Sequence, residues 1–335
     1  MVESSGLLNR RTVKNCTGGS NPPLSASLFP SLSRHNSKVP VPTIACVGAA
    51  AIDRHAVLHA PLIRGTSNPG SVLTDCGGVA RNVAVNLSNL GCRVLLCSRV
   101  GNDGAGRDVL AQPLDVSLIT VSDRLPTATY IAILEPDGEL VVGLDDMKIF
   151  DEMTPDVLAP ALPRLRDAAF WFIETDLPSA SIAFLLRSAG AIPIAVDGVS
   201  VVKSQKLLGL LPEIPYLFSN VAQAAAITGS PCNDPEAAAE ALRNAGARCG
   251  IVSAGARGIA VFDRTTIQPI PALPATPRDV TGAGDGMIAG VLYGLSQGLD
   301  LFAAARLGLA AAAITVECAT STAPHLSPEA LHARA

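Results

Sequence analysis

The sequence lacks the features of a nucleic-acid-binding, disulfide-rich or membrane-spanning protein. Its net charge is −4 and no long basic stripe occurs, so the positive surface that nucleic acids require is missing. The eight cysteines include no C-x-x-C pair, which argues against a zinc site and a disulfide framework. The most apolar stretch, 299–316, contains Asp300 and Arg306 and has helical spacing, unlike a membrane span. We expect an intracellular, soluble protein with reduced thiols that acts on small molecules.

Familiar nucleotide and metal motifs are also missing. No G-x-x-x-x-G-K-[ST] occurs, which excludes a P-loop protein, and no G-x-G-x-x-G follows the first predicted strand, which disfavours a dinucleotide site. Among the five histidines only His55 and His59 are close enough in sequence to share a metal. They fall in a segment where a solvated surface is the better interpretation.

The residues that are present predict an α/β fold with a mainly parallel central sheet flanked by helices. From Thr43 onward, runs rich in Val and Ile alternate with Ala- and Leu-rich helical stretches, and 48% apolar residues suffice for a large core. We interpret "TIACVGAAAID" as the first strand, "VARNVAVNLSNLG" as a helix that Gly91 ends, and "RVLLCSRVG" as the next strand.

Two segments interrupt the alternation and predict a small β-sheet lid. Residues 54–76 and 117–145 alternate polar and apolar positions, and Pro136, Asp137 and Gly138 supply a hairpin turn. Such a lid would exclude water from a group transfer. Its open strand edge would also allow pairing with a second copy, so we expect that a homodimer can form.

Residues 1–42 differ in composition from the predicted domain at 43–330. They are rich in Ser, Asn and Pro, and five basic residues accompany one acidic residue. This composition is typical of a disordered tail or an organellar transit peptide. The protein would then be cytoplasmic, or organellar in the second case.

The stretch "DVTGAGDGMIAG" predicts a helix start that either is ordinary or binds an anion. Thr281 can cap the helix, while Gly282, Ala283 and Gly284 leave first-turn N–H groups open to a ligand. Asp285 would repel a phosphate unless it takes a proton as a general base. From this stretch alone the two interpretations are equally credible.

A second glycine-rich stretch, "CGGVARNVAVNLSNLG", suggests a site for a polyhydroxy ligand. Gly77 and Gly78 let a ligand approach the backbone, and Asn82 offers a donor and an acceptor. Asp53 follows the first predicted strand at its carboxyl end, where ligands of open α/β sheets bind. The simpler alternatives are a turn with a polar residue after it, and an Asp that only caps a turn.

Together these motifs resemble the two signatures of the ribokinase-like (PfkB) carbohydrate kinases. "GGVARNVAVNLSNLG" and "DVTGAGDGMIAGVL" occur in the family's order and spacing, and the resemblance covers about residues 43–330. Further stretches, "GTSNPGSV", "TATYIAILEPDGEL", "VDGVSVVKSQK" and "AAAITVECATSTAPHLSPEAL", resemble the pseudouridine kinase branch. The resemblance implies phosphorylation of the 5′-hydroxyl of pseudouridine by ATP, with other nucleoside or sugar kinases (ribose, adenosine) as the alternative.

The resemblance also implies roles for individual residues. Asp285 would be the base, and Gly282, Ala283 and Gly284 the anion site. Asp53, Gly78 and Asn82 would bind the substrate, and Ser253, Gly255, Gly258 and Asn220 the ATP. Asn220 and Gln223 would contact Mg²⁺ through water, and Asp279 and Thr281 would bind a monovalent cation such as K⁺.

One position departs from the family pattern. The N-x-x-E motif, whose Glu helps to position magnesium, reads Asn220-Val221-Ala222-Gln223 here. Gln keeps an oxygen but loses the charge that a hard dication prefers. Gly198 also stands where we expect proline. A catalytically weak, nucleoside-binding relative is therefore a second hypothesis.

Overall fold

A computed structural model describes residues 41–335 of the chain. The predicted tail or transit peptide lies outside the described residues, except for positions 41 and 42. The predicted start of the folded domain at 43 coincides with the first strand, which begins at Thr43.

Within residues 41–335, thirteen strands form two sheets, as the alternating sequence predicts. The strands are β1 (Thr43–Val47), β2 (Ala51–Leu58), β3 (Gly70–Gly77), β4 (Arg93–Gly101), β5 (Asp115–Ser122), β6 (Thr129–Leu134), β7 (Leu140–Asp146), β8 (Phe170–Glu174), β9 (Ile194–Asp197), β10 (Tyr216–Asn220), β11 (Gly250–Ser253), β12 (Ile259–Phe262) and β13 (Ile267–Ile270). The nine-stranded sheet has the order β13-β12-β11-β10-β9-β8-β1-β4-β5 and is parallel except at β12 and β13. The α/β prediction is confirmed.

Helices and short 3₁₀ segments connect the strands. The helices are α1 (Val79–Asn89), α2 (Gly104–Leu110), α3 (Pro155–Leu158), α4 (Leu162–Leu165), α5 (Ser179–Ser188), α6 (Val201–Ser204), α7 (Val221–Thr228), α8 (Pro235–Asn244), α9 (Ala283–Ser296), α10 (Leu301–Val316) and α11 (Pro328–Arg334). The 3₁₀ segments are Lys148–Glu152, Ala159–Ala161, Gln205–Glu213 and Gly255–Arg257. Within the described range, every helix is too short or too polar to cross a bilayer.

The large sheet is buried on both faces, which explains its uninterrupted apolar strands. In β8, Trp171 and Ile173 pack into one cluster with α5 and α8, whereas Phe170 and Phe172 pack into another with α1 and α9. Successive side chains of a strand point to opposite faces, so a strand between two helical layers must be apolar at every position.

The smaller sheet is the lid, which consists of β3, β2, β6 and β7 in that order. The turn at 136–138 joins β6 to β7 as predicted, and Gly138 has the positive φ of 90° that the turn requires. The predicted lid segment 117–145 begins too early, because β5 pairs with β4 in the large sheet. The predicted first strand is also wrong in extent: the chain leaves the large sheet after Val47, and Asp53 lies inside lid strand β2.

Candidate active site

Two helix N-termini meet at the carboxyl ends of the parallel strands. Helix α1 packs against α9, and the Asn82 Nδ2 group donates a hydrogen bond of 2.9 Å to Asp285 Oδ2. These two residues are 203 positions apart in sequence. The structure thus brings together the two glycine-rich stretches, and the space between α1, α9 and the lid is called the catalytic cleft below.

The start of α9 depends on Gly282. This residue has a φ of 76°, a left-handed conformation, and an added Cβ would collide with the carbonyl oxygen of Ser321. Gly282 is the N-cap residue, and no side chain caps the helix. The prediction that Thr281 caps it is therefore wrong: the Thr281 N–H instead bonds to Asp279 Oδ1 at 2.8 Å.

The first turn of α9 carries unpaired N–H groups. Among residues 41–335, the N–H groups of Gly284 and Asp285 find no acceptor, whereas the Ala283 N–H reaches Val280 O at 3.3 Å. An added Cβ on Gly284 would meet no atom within 4 Å, so the turn faces open space. Free N–H groups and the positive helix end favour an anion at this point.

Asp285 lies half-buried at the side of this anion site. Burial raises its pKa to about 8, the bond from Asn82 opposes the shift, and the neighbouring Asp197 and Asp53 carboxylates add to it. Its second oxygen, Oδ1, has no hydrogen-bond partner in the described part of the chain. A carboxylate with a raised pKa and a free oxygen can accept a proton near neutral pH.

Asp197 is a cleft residue that the sequence reasoning missed. It ends β9, and burial raises its pKa to about 6, even though its Oδ2 accepts the Val199 N–H at 2.8 Å. Asp53, in the lid, also has its pKa raised to about 6, and burial is the largest cause. Only the position of Asp197 at a strand's carboxyl end could have indicated it.

A buried guanidinium fixes the orientation of the Asn82 amide. Arg81, only 5% exposed, donates from Nη1 to Asn82 Oδ1 at 3.0 Å and to Cys76 O at 2.8 Å, and from Nη2 to Gln112 Oε1 at 2.6 Å. Because a guanidinium can only donate, it holds the amide oxygen towards itself and the Nδ2 group towards the base. No pattern in the sequence singled out Arg81.

The glycine pair before α1 serves close packing. An added Cβ on Gly77 would collide with the Asp53 carboxylate, and Gly78, with φ of 93°, would press on the backbone at Ala49 and Ala50. Gly77 therefore leaves room for Asp53 beside the cleft, while Gly78 sets the start of α1. The substrate contact expected of Gly78 stays a prediction.

The predicted ATP residues lie at neighbouring strand ends. Asn220 and Ser253 are paired in register where β10 and β11 end. Gly255 has a φ of 59° and open space around it, but at Gly258 an added Cβ would collide with Ile270 O. Gly258 is thus needed for packing against β13, independently of its predicted role in ATP binding. Arg257 donates to Asn233 O at 2.9 Å.

Gln223 has a structural role that needs no charge. The Gln223 side-chain Oε1 accepts a hydrogen bond from the backbone N–H of Asn220, and the backbone N–H of Gln223 donates to the Asn220 side-chain Oδ1. Both bonds measure 2.9 Å and together form a capping box at the start of α7. An added Cβ on Gly198 would lie 3.2 Å from Gln223 Oε1, so the glycine fits closely beside it. No group of three or more His, Cys, Asp or Glu side chains arranged for a metal occurs within residues 41–335.

A lysine connects the lid to the large sheet. Lys203 Nζ, on α6, lies 2.6 Å from Asp145 Oδ2 of lid strand β7 and 2.7 Å from Asp176 Oδ1, which follows β8. Asp176 is almost fully buried and Asp145 is half-exposed. The ammonium therefore bridges the lid and the body of the protein, a role that sequence reasoning did not predict.

Comparisons with known proteins agree with this fold. The pattern of the pfkB family carbohydrate kinases matches residues 41–328. The chain is 28% identical to the pseudouridine kinase of Escherichia coli (strain K12) over 85% of this chain and 93% of that protein. Its structure resembles a carbohydrate kinase from Agrobacterium tumefaciens (34% identity, TM-score 0.74, 88% and 97% of the two chains). The fold is also that of Arabidopsis thaliana ribokinase complexed with ribose and ATP, with 20% sequence identity, a TM-score of 0.78, and coverage of 88% of this chain and 98% of that chain.

Proposed function

The chain belongs to the pfkB family of carbohydrate kinases, and we propose that it transfers the γ-phosphoryl group of ATP to the 5′-hydroxyl of pseudouridine. The products are pseudouridine 5′-phosphate and ADP. The observation that carries phosphoryl transfer is the Asn82–Asp285 contact beside the unpaired N–H groups of α9. A base and an anion site lie together there, as attack of a hydroxyl on a phosphate requires.

In the proposed reaction Asp285 Oδ1 takes the proton of the 5′-hydroxyl. The hydroxyl oxygen then bonds to the γ-phosphorus, the bond from that phosphorus to the bridging oxygen breaks, and the electron pair stays on ADP. The N–H groups of Gly284 and Asp285, with that of Gly282 beside them, stabilise the charge on the transferring group. The Ala283 N–H can join them only by leaving Val280 O.

The substrate ribose is proposed to lie between α1 and the lid. Asp53 accepts from its hydroxyls, and the backbone at Gly78 lets the sugar approach closely. In the Asn82 amide, one N–H and one lone pair remain after the bonds to Asp285 and Arg81, and these are available to a hydroxyl. The Lys203 bridge then holds the lid over the bound nucleoside.

Mg²⁺ is proposed to enter with the nucleotide. Asp53, Asp197 and Asp285 make the cleft acidic, so free triphosphate would be repelled unless a dication neutralises it. The Gln223 oxygen already accepts the Asn220 N–H, so these two residues fit a metal only through water. A monovalent cation such as K⁺ would be held by backbone groups at Asp279 and Thr281 and would add positive potential beside the anion site.

The choice of pseudouridine rests on the Escherichia coli relative and on the stretches that resemble that branch of the family. The test is a phosphorylation panel with Mg·ATP and pseudouridine, uridine, adenosine, ribose or fructose. Pseudouridine should have the highest kcat/KM, and Asp285→Asn should lose about 10²- to 10⁴-fold in kcat. Faster turnover of ribose or adenosine would instead support the alternative substrate within the family.

A catalytically weak nucleoside-binding protein is the second candidate, favoured by Gln223 in place of Glu. The capping box shows that glutamine supports α7 without a charge, so its presence does not require a catalytic metal contact. Calorimetry beside the panel separates the two: binding of pseudouridine without turnover of any acceptor would favour this candidate.

We further propose that the lid mediates a homodimer. Leu140, Val142 and Leu144 alternate along edge strand β7, and each is about half-exposed or more. Val142 and Leu144 pair with Ile133 and Ile131 and so lie on one face of the strand, while Leu140 lies beyond a bulge. Exposed apolar side chains on an edge strand favour contact with another chain. A second copy of this chain is the proposed partner.

A further inference from the structure

A concave region lies at the opposite edge of the large sheet from the catalytic cleft. It is lined by residues directly before β9, β10 and β11, including Pro193, Pro215 and Cys249, and by the turn between β12 and β13. These three strands are parallel, so their amino ends are on the far side from Asp197. The region is an open groove made of two adjoining concavities of about 370 and 600 Å³.

Three arginines from different segments converge on this region. Arg243 lies in the last turn of α8, Arg248 precedes β11, and Arg264 lies in the β12–β13 turn. Arg248 and Arg264 line both cavities, and Arg243 lines the smaller one. Within residues 41–335, none of the three side chains makes an ion pair within 4.0 Å or a hydrogen bond.

Asp263 is the acidic residue in the lining of this region, and within residues 41–335 it makes no ion pair within 4.0 Å with the three arginines. Asp263 Oδ1 accepts the N–H groups of Thr265 and Thr266, each at 2.7 Å, and the Thr265 hydroxyl at 2.9 Å. The Thr265 and Thr266 N–H groups, and to a smaller extent the Thr265 hydroxyl and the charge of Arg243, hold the pKa of Asp263 below its usual value. One carboxylate engaged by its own turn faces three guanidinium groups, in a protein whose net charge is −4. Gathered like charges repel each other, and a bound anion would relieve that repulsion.

The larger cavity also has an apolar wall. Ile192, Pro193, Pro215 and the half-buried Tyr216 form this wall beside Arg248 and Arg264. Guanidinium groups bind phosphate through paired N–H donors, and aromatic rings and prolines offer flat surfaces for a nucleobase. A ligand that binds both the arginines and the apolar wall carries a phosphate and a planar ring.

We propose that this arginine groove (Arg243, Arg248 and Arg264 with Pro215 and Tyr216) is a second, non-catalytic binding site for a nucleotide. Its phosphate lies between the arginines and its base rests on the Pro215–Tyr216 wall. The site shares no residue with the catalytic cleft and does not depend on the proposed reaction.

The test counts nucleotides per chain by equilibrium dialysis with labelled ADP. Arg248→Gln/Arg264→Gln should bind one ADP fewer than the wild type. The control Arg93→Gln/Arg306→Gln removes the same charge from exposed positions elsewhere and should bind as many as the wild type. Equal numbers in the wild type and the arginine-groove variant would overturn the proposal, whether or not the catalytic cleft binds ADP.

Competition identifies the recognised group at the second site. Inorganic phosphate should displace ADP there at lower concentration than adenosine does, since the guanidinium groups supply most of the attraction. Adenosine competing as well as phosphate would contradict the assignment of the arginines. Both substituted side chains are exposed, so thermal melting of the variant should match the wild type. Arg264→Glu alone provides a second variant and should weaken binding further than Arg264→Gln.

Discussion

Asn82→Leu should move the pH dependence of catalysis upwards. The substitution keeps the approximate size of the side chain and removes the only hydrogen bond that Asp285 receives from a described side chain. That bond favours the ionised carboxylate, so its loss favours the protonated form. A general base works when deprotonated; the rate of the wild type therefore rises with pH through the pKa of about 8.

The size of the shift follows from the strength of the bond. A hydrogen bond to a charged group contributes about 1.5 kcal/mol or more, and one pKa unit corresponds to about 1.4 kcal/mol. The midpoint should therefore rise by about one unit. At pH 7 the ionised fraction of Asp285 would fall from about one-tenth to about one-hundredth, which predicts an approximately tenfold loss in kcat/KM from ionisation alone. At pH 10 the loss from this cause should nearly vanish.

The measurement is kcat/KM from initial rates between pH 6 and 10, with product quantified by chromatography. The pH profile of kcat/KM reports the free enzyme, in which the Asn82–Asp285 bond is observed. Asn89→Leu is a matched control on the same helix, because Asn89 donates only to Ala323 O, at 3.0 Å. An unchanged midpoint in Asn82→Leu, with equal losses at every pH, would refute the reasoning and leave Asn82 as a binding residue only.

Other predictions test the anion site, the lid and the dimer. Gly284→Ala should melt at the same temperature as the wild type, because its Cβ meets open space. The methyl group would nevertheless fill the proposed anion site, so kcat should fall more than about tenfold. Gly282→Ala should instead lose stability, because its Cβ would collide with Ser321 O. Lys203→Met should raise KM more than it lowers kcat, since it releases the lid at Asp145. Val142→Asp should shift the protein to a monomer in light scattering, and an unchanged mass would contradict the lid-mediated dimer.

Alternation of strands and helices was enough to predict the fold, but not which sheet each strand joins. "TIACVGAAAID" reads as one strand because Val47, Ala49 and Ala51 are all buried. The chain nevertheless passes from the large sheet to the lid at Gly48, whose φ is 152°. Val47 at the end of β1 and Ala51 and Ile52 at the start of β2 are all buried, so hydrophobicity at this point carries no signal of the crossing. The same limit applies to β5, where alternating polarity reflects an edge strand of the large sheet.

The glycine-rich stretches predicted the cleft because their chemistry depends on backbone conformation. Gly78 and Gly282 have positive φ values, and such positions favour glycine, which is visible in the sequence. Asp197 and Arg81 act instead through contacts made across the sheet and between helices. A single Asp after a strand, or an Arg in a helix, has no distinctive neighbours. Their roles become visible only when β9, α1 and α9 are placed together.

The arrangement of charge in the cleft links proton transfer to substrate binding. Burial raises the pKa of Asp285 to about 8 and the Asp197 and Asp53 carboxylates add to the shift, so at pH 7 about nine-tenths of the free protein holds this carboxyl in its protonated form. A protonated carboxyl cannot activate water, which limits hydrolysis of ATP while the acceptor is absent. In the proposed reaction, hydroxyl donors to Asp53 would lessen its repulsion and Mg²⁺ entering with the nucleotide would supply positive charge, and each change would lower the pKa of Asp285. The proposed base would then ionise when the cleft holds both substrates, and Asp53, the proposed sugar ligand, would also restrain the base until then.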